Sequence, residues 1–384
     1  MTSFIKKVLK PALLLILLQS STANAQISAI ENLIDKVKSY KNYSYQSITK
    51  LRDMSVDTTV ALNTALFLKA AKNKYLYRIE TDHKTETYHR VDLYNGENLT
   101  ILAPNDSTYF AENEQKSAYY QSLIGNLKLL KNRYANKPFK ITSLKDTVIN
   151  GIPHTHFIAN VYDTIENNEH LYSNRDYYIN KQTGLPGMVI IKGRYKYNGL
   201  VSDYYDETKY FNYKINNPDI TLENFVIPPN YKPRKEQMPP PALLTPGTTA
   251  PDWTLYDVNG KKVSLSQLKG KVVLLDFYFI GCSGCMASIN PLNAIYEKYK
   301  NKDLIIASLT ERDSKKAVID FEKRYGIKYT GYINAADVVK SYHVTSFPTF
   351  YFIDKDGKVG DVFVGCNDGF SKKVTSAVDL LINK

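Results

Sequence analysis

The 384-residue chain is longer than one typical domain, and its 43% hydrophobic content is enough to bury more than one core. It holds no apolar run of about 18 residues, which excludes an ordinary membrane-spanning helix. The formal charge of +12 rests on scattered lysines with no basic run, which fits a solvated basic surface and gives no support for nucleic-acid binding.

Residues 1–25 carry Lys6, Lys7 and Lys10, then the apolar stretch Ala12–Leu18, then Ala23-Asn24-Ala25 ahead of Gln26. That layout predicts a secretory signal cleaved after Ala25, and so a soluble mature chain in the periplasm. An uncleaved anchor would need a longer apolar segment.

Residues 26–230 hold most of the 31 tyrosines. Helical patches are expected at Ile27–Ser39 and around Glu114–Lys131. Alternating strands are expected at Tyr43–Ile48, Lys74–Glu80, Tyr88–Tyr94, Thr100–Ala103, His154–Val161, Asp176–Ile179, Met188–Tyr197 and Lys209–Ile215. Turns at Asn95-Gly96, Asn150-Gly151, Thr183-Gly184 and Asn198-Gly199 separate them. The pattern predicts an α+β domain: long antiparallel strands under a helical cover, as a half-barrel or sandwich. His154 and His156 fall on one face of a strand, but too few further ligands accompany them for a metal site.

Prolines then break regular structure from Pro228-Pro229 through Pro233 to Pro239-Pro240-Pro241, and residues 231–246 read as a semi-rigid spacer. From residue 247 to 384 the pattern becomes α/β. A hairpin is expected over Trp253–Asp257 and Lys262–Leu265, turning at Asn259-Gly260. Val272–Phe279 is apolar almost throughout, as in a strand buried on both faces. The helix after it contains Pro291, which predicts a kink. Leu304–Leu309 is a second buried strand, Ser314–Tyr325 a helix and Ala336–Tyr342 a short helix. Thr349–Ile353 and Val359–Val364 pair across Asp354-Lys355-Asp356-Gly357, and Ser371–Ile382 closes the chain.

Chemistry concentrates at Cys282-Ser283-Gly284-Cys285, between the apolar strand and its helix. Two thiols three residues apart can close a small disulfide. If Cys285 lies one helical turn on, Cys282 alone faces solvent, and the amides and dipole of the helix start favour its thiolate. Cys282 is therefore expected to titrate below an ordinary thiol. A thiolate with a resolving thiol in reach is the equipment of thiol–disulfide exchange. Three cysteines make no disulfide framework, and Cys366, at the end of an apolar strand, is expected to be buried and inert. With no second CxxC, a zinc site is disfavoured.

Residues 247–384 resemble the thioredoxin fold, in particular exported thiol–disulfide oxidoreductases of the TlpA/ResA type. Ala250-Pro251-Asp252-Trp253, Gly270-Lys271, the CxxC at the helix start and Ser346-Phe347-Pro348-Thr349 carry the resemblance, in that order. It implies that Cys282 attacks and Cys285 resolves, that Asp276 is the buried carboxyl that takes the Cys285 proton, and that Pro348 is the cis proline beside the disulfide. It places Ser283, Gly284 and Phe347 against an extended substrate. Protein thiols and disulfides are the implied partners, a membrane electron donor is a possible source of reducing equivalents, and no cofactor is implied beyond the redox-active disulfide. Two departures stand out: Gly281 where tryptophan is frequent, and Gly284 where proline is common. A peroxiredoxin shares the Ala-Pro-Asp opening but needs threonine or serine where Phe279 stands.

The first half more faintly resembles half-barrel carriers of the LolA/RseB group, through Asp92–Asn98, Tyr177–Pro186 and Leu222–Pro228. This implies a face that holds a client or a hydrophobic ligand. Its alternative is a plain sandwich core. For the whole chain the alternative to an enzyme is a lipid or lipoprotein carrier with a thioredoxin-like adaptor.

Overall fold

The computed structural model describes residues 27–52, 59–70, 75–83, 89–112, 119, 122–197, 200–234 and 241–383. The signal expected over 1–25 lies outside the described residues, as do Asn198-Gly199, Pro239-Pro240 and most of the start of the helix expected from Glu114. The chain forms two compact units, one mainly from residues before 236 and one mainly from 236 onward.

The first unit is built on a 12-stranded sheet. In chain order its strands are β1 (Asn42–Arg52), β2 (Thr59–Lys69), β3 (Tyr75–His83), β4 (His89–Tyr94), β5 (Leu99–Ala103), β6 (Thr108–Glu112), β7 (Lys140–Ile149), β8 (Ile152–Glu166), β9 (Glu169–Asn180), β10 (Pro186–Tyr197), β11 (Leu200–Ile215) and β12 (Lys232–Pro233). They lie side by side as β12-β6-β5-β4-β3-β2-β1-β11-β10-β9-β8-β7. Helix α1 (residues 27–39) and α2 (Leu123–Asn136) cover one face. Alternation aims Tyr43 and Tyr45 of β1, Phe67 of β2, and Tyr75 and Tyr77 of β3 at Ile30, Ile34, Leu123, Leu127 and Leu130 of the helices. Ser122 starts α2 as its cap, its hydroxyl accepting from the Gly125 amide at 3.2 Å.

Three strands depart from expectation. β2 reads Thr-Val-Ala-Leu-Asn-Thr-Ala-Leu-Phe-Leu-Lys, good helix formers, yet pairs along its length with β1 and β3. β6 and β7 were likewise not anticipated. The helix predicted near Glu114–Lys131 is observed over its later part as α2, which Ser122 caps and which runs on to Asn136; most of its earlier part lies outside the described residues. β12 falls inside the expected spacer: the Lys232 amide donates to Ser107 O at 3.0 Å and that of Arg234 to Tyr109 O at 2.7 Å. At the opposite edge, β7 pairs β8 with a register break between Leu144 and Thr147, and Val148 is 65% exposed.

The second unit holds a seven-stranded sheet. Its elements are β13 (Thr254–Asp257), β14 (Lys262–Ser264), β15 (Val272–Phe277), α3 (Ser283–Tyr299), β16 (Leu304–Leu309), α4 (Lys315–Tyr325), β17 (Thr330–Ile333), α5 (Ala336–Ser341), β18 (Thr349–Ile353), β19 (Val359–Val364) and α6 (Phe370–Ile382). The order is β14-β13-β17-β16-β15-β18-β19, with β15, β16 and β17 parallel. All six residues of β15 are buried. Leu292, Ile295, Tyr299, Val374 and Val378 from α3 and α6 pack in one core cluster, while Val338 and Val339 of α5 join Trp253 in another. This is the thioredoxin arrangement that the resemblance implies. β17 was not anticipated, since its four residues are too short to carry a period. Helix α3 runs on through Pro291.

Candidate functional site

The disulfide sits where β15 ends and α3 begins. Cys282 and Cys285 are bonded, with Cα atoms 5.2 Å apart. Cys282 caps the 17-residue helix, its Sγ accepting from the Cys285 amide at 3.1 Å. The first sulfur thus lies at the positive end of the helix, where a thiolate is favoured. Cys282 is 8% exposed and Cys285 4%. Both are buried, so the expectation that Cys282 alone faces solvent is not met in this disulfide-bonded form.

The loop before Cys282 is held from β16. The Tyr278 amide donates to Leu309 O at 3.1 Å, and the Ile280 amide to the Asp313 carboxylate at 3.0 Å. Gly281 follows at φ +98°, with nothing within 4 Å of the place a Cβ would take. The tryptophan frequent here in the resembling family is opposed by the backbone rather than by space.

Phe347-Pro348 is a cis peptide. Pro348 packs on the motif: a Cβ on Gly284 would lie 3.0 Å from its Cδ and 3.9 Å from Phe347 O. Gly284 therefore permits the close approach of the proline loop. Ser283 is exposed beside it. The Phe347 ring meets Phe279 edge-on at 5.4 Å, and the Arg312 guanidinium lies over both rings, 4.5 Å from Phe279 and 5.7 Å from Phe347. Phe279 is thus part of an aromatic rim, in the position where a peroxidase would require a hydroxyl.

Asp276 lies within β15 and is 3% exposed. Its Oδ2 accepts from the Ser308 hydroxyl at 2.8 Å, and its Oδ1 has no hydrogen-bond partner. Burial pushes its pKa up to about 7, partly offset by the Ser308 bond. Asp276, Cys285, Ser308 and Glu322 line one enclosed space of about 10 Å³. Glu322 is a second, half-buried carboxyl there. Its Oε1 is unpartnered, and burial pushes its pKa up to about 7 against the lowering effect of the Gly331 amide. Cys366 is unbonded and half-buried against the α3/α6 core, where burial and the Asp276 charge push its thiol up to about 11.

Glu322, Arg312 and Asp313 escaped the sequence reading. One signal for Glu322 was present: it stands four residues after Val318 and three before Tyr325, on the buried stripe of α4. Arg312 and Asp313 carry no such signal. The two histidines do not converge on a common ligand: the His154 ring bonds Ile152 O at 2.8 Å, and His156 bonds Asp176 at 2.9 Å.

A family profile described as Redoxin matches residues 245–381. The thiol-disulfide oxidoreductase ResA of Bacillus thuringiensis strain Al Hakam is 36% identical over 135 residues, covering 34% of this chain and 78% of that protein. The ResA of Bacillus subtilis strain 168 is 33% identical over 123 residues, covering 32% and 69%. Among solved structures, the thioredoxin domain of a thiol-disulfide oxidoreductase from Bacteroides vulgatus is 28% identical, covering 35% of this chain and 99% of that one, at a TM-score of 0.33. With its strand order, its cysteine pair at the helix start and 78% of a ResA protein matched at that identity, the chain belongs to the ResA-like thiol-disulfide oxidoreductases and is an enzyme of that class.

Proposed function

We propose that the chain is an exported reductase of protein disulfides. The Cys282 thiolate attacks a substrate disulfide; one substrate sulfur leaves as a thiolate and the other joins Cys282. Asp276 takes the Cys285 proton, and the Cys285 thiolate then attacks Cys282 Sγ. The substrate departs with two electrons as a dithiol, and the Cys282–Cys285 bond closes. A membrane-held dithiol donor reopens it. Ser283, Gly284 and Phe347 border the substrate chain, with Pro348 beside the bond, and the first unit holds the client or a ligand.

One observation carries this reading: Cys285 and Asp276, whose Oδ1 has no hydrogen-bond partner, line the same small cavity. A carboxyl with a pKa near 7 is matched to a proton transfer at neutral pH. The test is insulin reduction by the full chain with dithiothreitol as electron source. The intact protein should accelerate precipitation and Cys282→Ser should abolish the gain. A rate equal to dithiothreitol alone removes the reading.

A further inference from the structure

The concave face of the first sheet changes chemistry halfway along its strands. On β1 the inward residues run Tyr43, Tyr45, then Ser47 and Thr49; on β2, Phe67, Ala65, then Asn63; on β3, Tyr77, Ile79, then Thr81. Register places Ser47 opposite Asn63 and Asn63 opposite Thr81. The aromatic half is filled by α1 and α2. The polar half bounds a cavity of about 480 Å³, within the size range of small-molecule sites. The band is cross-linked within itself, Thr81 donating to the Asn63 side-chain oxygen at 2.9 Å and the Asn63 amide reaching Ser47 at 3.4 Å, and its remaining lone pairs and protons suit a hydrogen-bonding ligand better than a hydrocarbon one.

Arg175 of β9 lines this cavity and is 6% exposed. Its Nε has no hydrogen-bond partner. Nη1 reaches the Asn126 side-chain oxygen only at 3.4 Å, and that oxygen already accepts from Tyr177 at 2.9 Å. Among the described residues Arg175 makes no ion pair. The Asp206 carboxyl, also on the cavity, interacts with the Arg175 charge through space but forms no ion pair with it, being held by the Thr208 hydroxyl at 3.1 Å and the Tyr204 hydroxyl at 3.4 Å. Guanidinium stays charged in proteins, and a buried charge calls for a partner of opposite sign.

We infer that this cavity binds a small polar carboxylate, whose carboxylate pairs with Arg175 and whose hydroxyl or amide groups meet the Ser47, Asn63 and Thr81 band. The planar fork of Arg175 suits a carboxylate, and the band rewards a hydrogen-bonding body over a hydrocarbon one. The inference is independent of the disulfide chemistry.

The test is titration calorimetry and thermal melting of the full chain with sodium D-glucuronate and N-acetylglycine, each against equal sodium chloride. At least one probe should bind and raise the melting temperature of the intact protein. Arg175→Met should weaken that binding about tenfold or more while melting no lower than the unliganded parent, since it removes a buried charge that has no direct ion pair. Thr81→Val, which leaves Arg175 in place, should also weaken it. The inference is overturned if neither probe exceeds chloride, or if both variants bind as the parent does. It is overturned too if Arg175→Met melts well below the parent with binding intact, which would make Arg175 a strut for Asn126 and Tyr177.

Discussion

Asp276 has buried neighbours on both sides along β15, lines a small cavity with Cys285, and leaves its Oδ1 without a hydrogen-bond partner. Its proton is released near 3.8 in an unfolded chain and near 7 in the folded one. Between those values the unfolded state binds fewer protons, so stability falls as pH rises through the window and levels above it. The loss across the window is about 4 kcal/mol for this group. Glu322 adds a fall of the same sign. Urea unfolding of oxidised protein at pH 5 and pH 8 should therefore show a large drop for the parent and a smaller one for Asp276→Asn, in which the Glu322 part remains. Equal drops would place the buried charge elsewhere.

At the level of elements, the β15–α3 junction combines two requirements. The helix needs a cap, and the Cys282 sulfur supplies it; the chain needs a sharp reversal first, and Gly281 at φ +98° supplies that. An L side chain at such a φ costs about 1–2 kcal/mol. Gly281→Ala should lower unfolding free energy by that amount with an unchanged denaturant slope, since the position is open and no packing is lost. A neutral result would mean that the backbone relaxes. Legibility also divides at this level. The strands Leu304–Leu309, Thr349–Ile353 and Val359–Val364 match their sequence readings residue for residue. The first two are largely buried apolar runs bounded by turn residues, where local pattern and tertiary placement agree, and the third is the half-exposed return strand of the turn after Ile353. β2 could not be read, because its Ala and Leu favour a helix and only pairing with β1 and β3 makes it extended. The Cys282–Cys285 pair was legible through its spacing, and the places of Asp276 in a buried strand and of Pro348 at a cis bond were implied by the resemblance. Arg312 and Asp313 were not legible, since their roles come from neighbours far along the chain.

Across the whole molecule, the apolar clusters divide by unit: those around Tyr43 and Leu76 use residues before 236, and those around Trp253 and Val272 use residues after it. Leu127 is fully buried in the first. Leu127→Ala should remove about 2–5 kcal/mol from that core. In calorimetry one of two transitions should shift by many degrees, while the transition belonging to the disulfide-bearing unit stays in place. A single transition moving as a whole would show that the cores melt together.

The outer strand β7 bears on how such a long sheet avoids growing further. An unpaired ladder of amides and carbonyls is a template for another molecule's strand, and Val148 would add adhesive surface to it. The break at Leu144–Thr147 puts Lys145 and Asp146 out of step with any straight incoming strand. Fibril-like stacking is thereby discouraged at one margin, and at the other β12 is only two residues long. A mutation that straightened β7 would expose the protein to self-templated aggregation even with every catalytic atom in place.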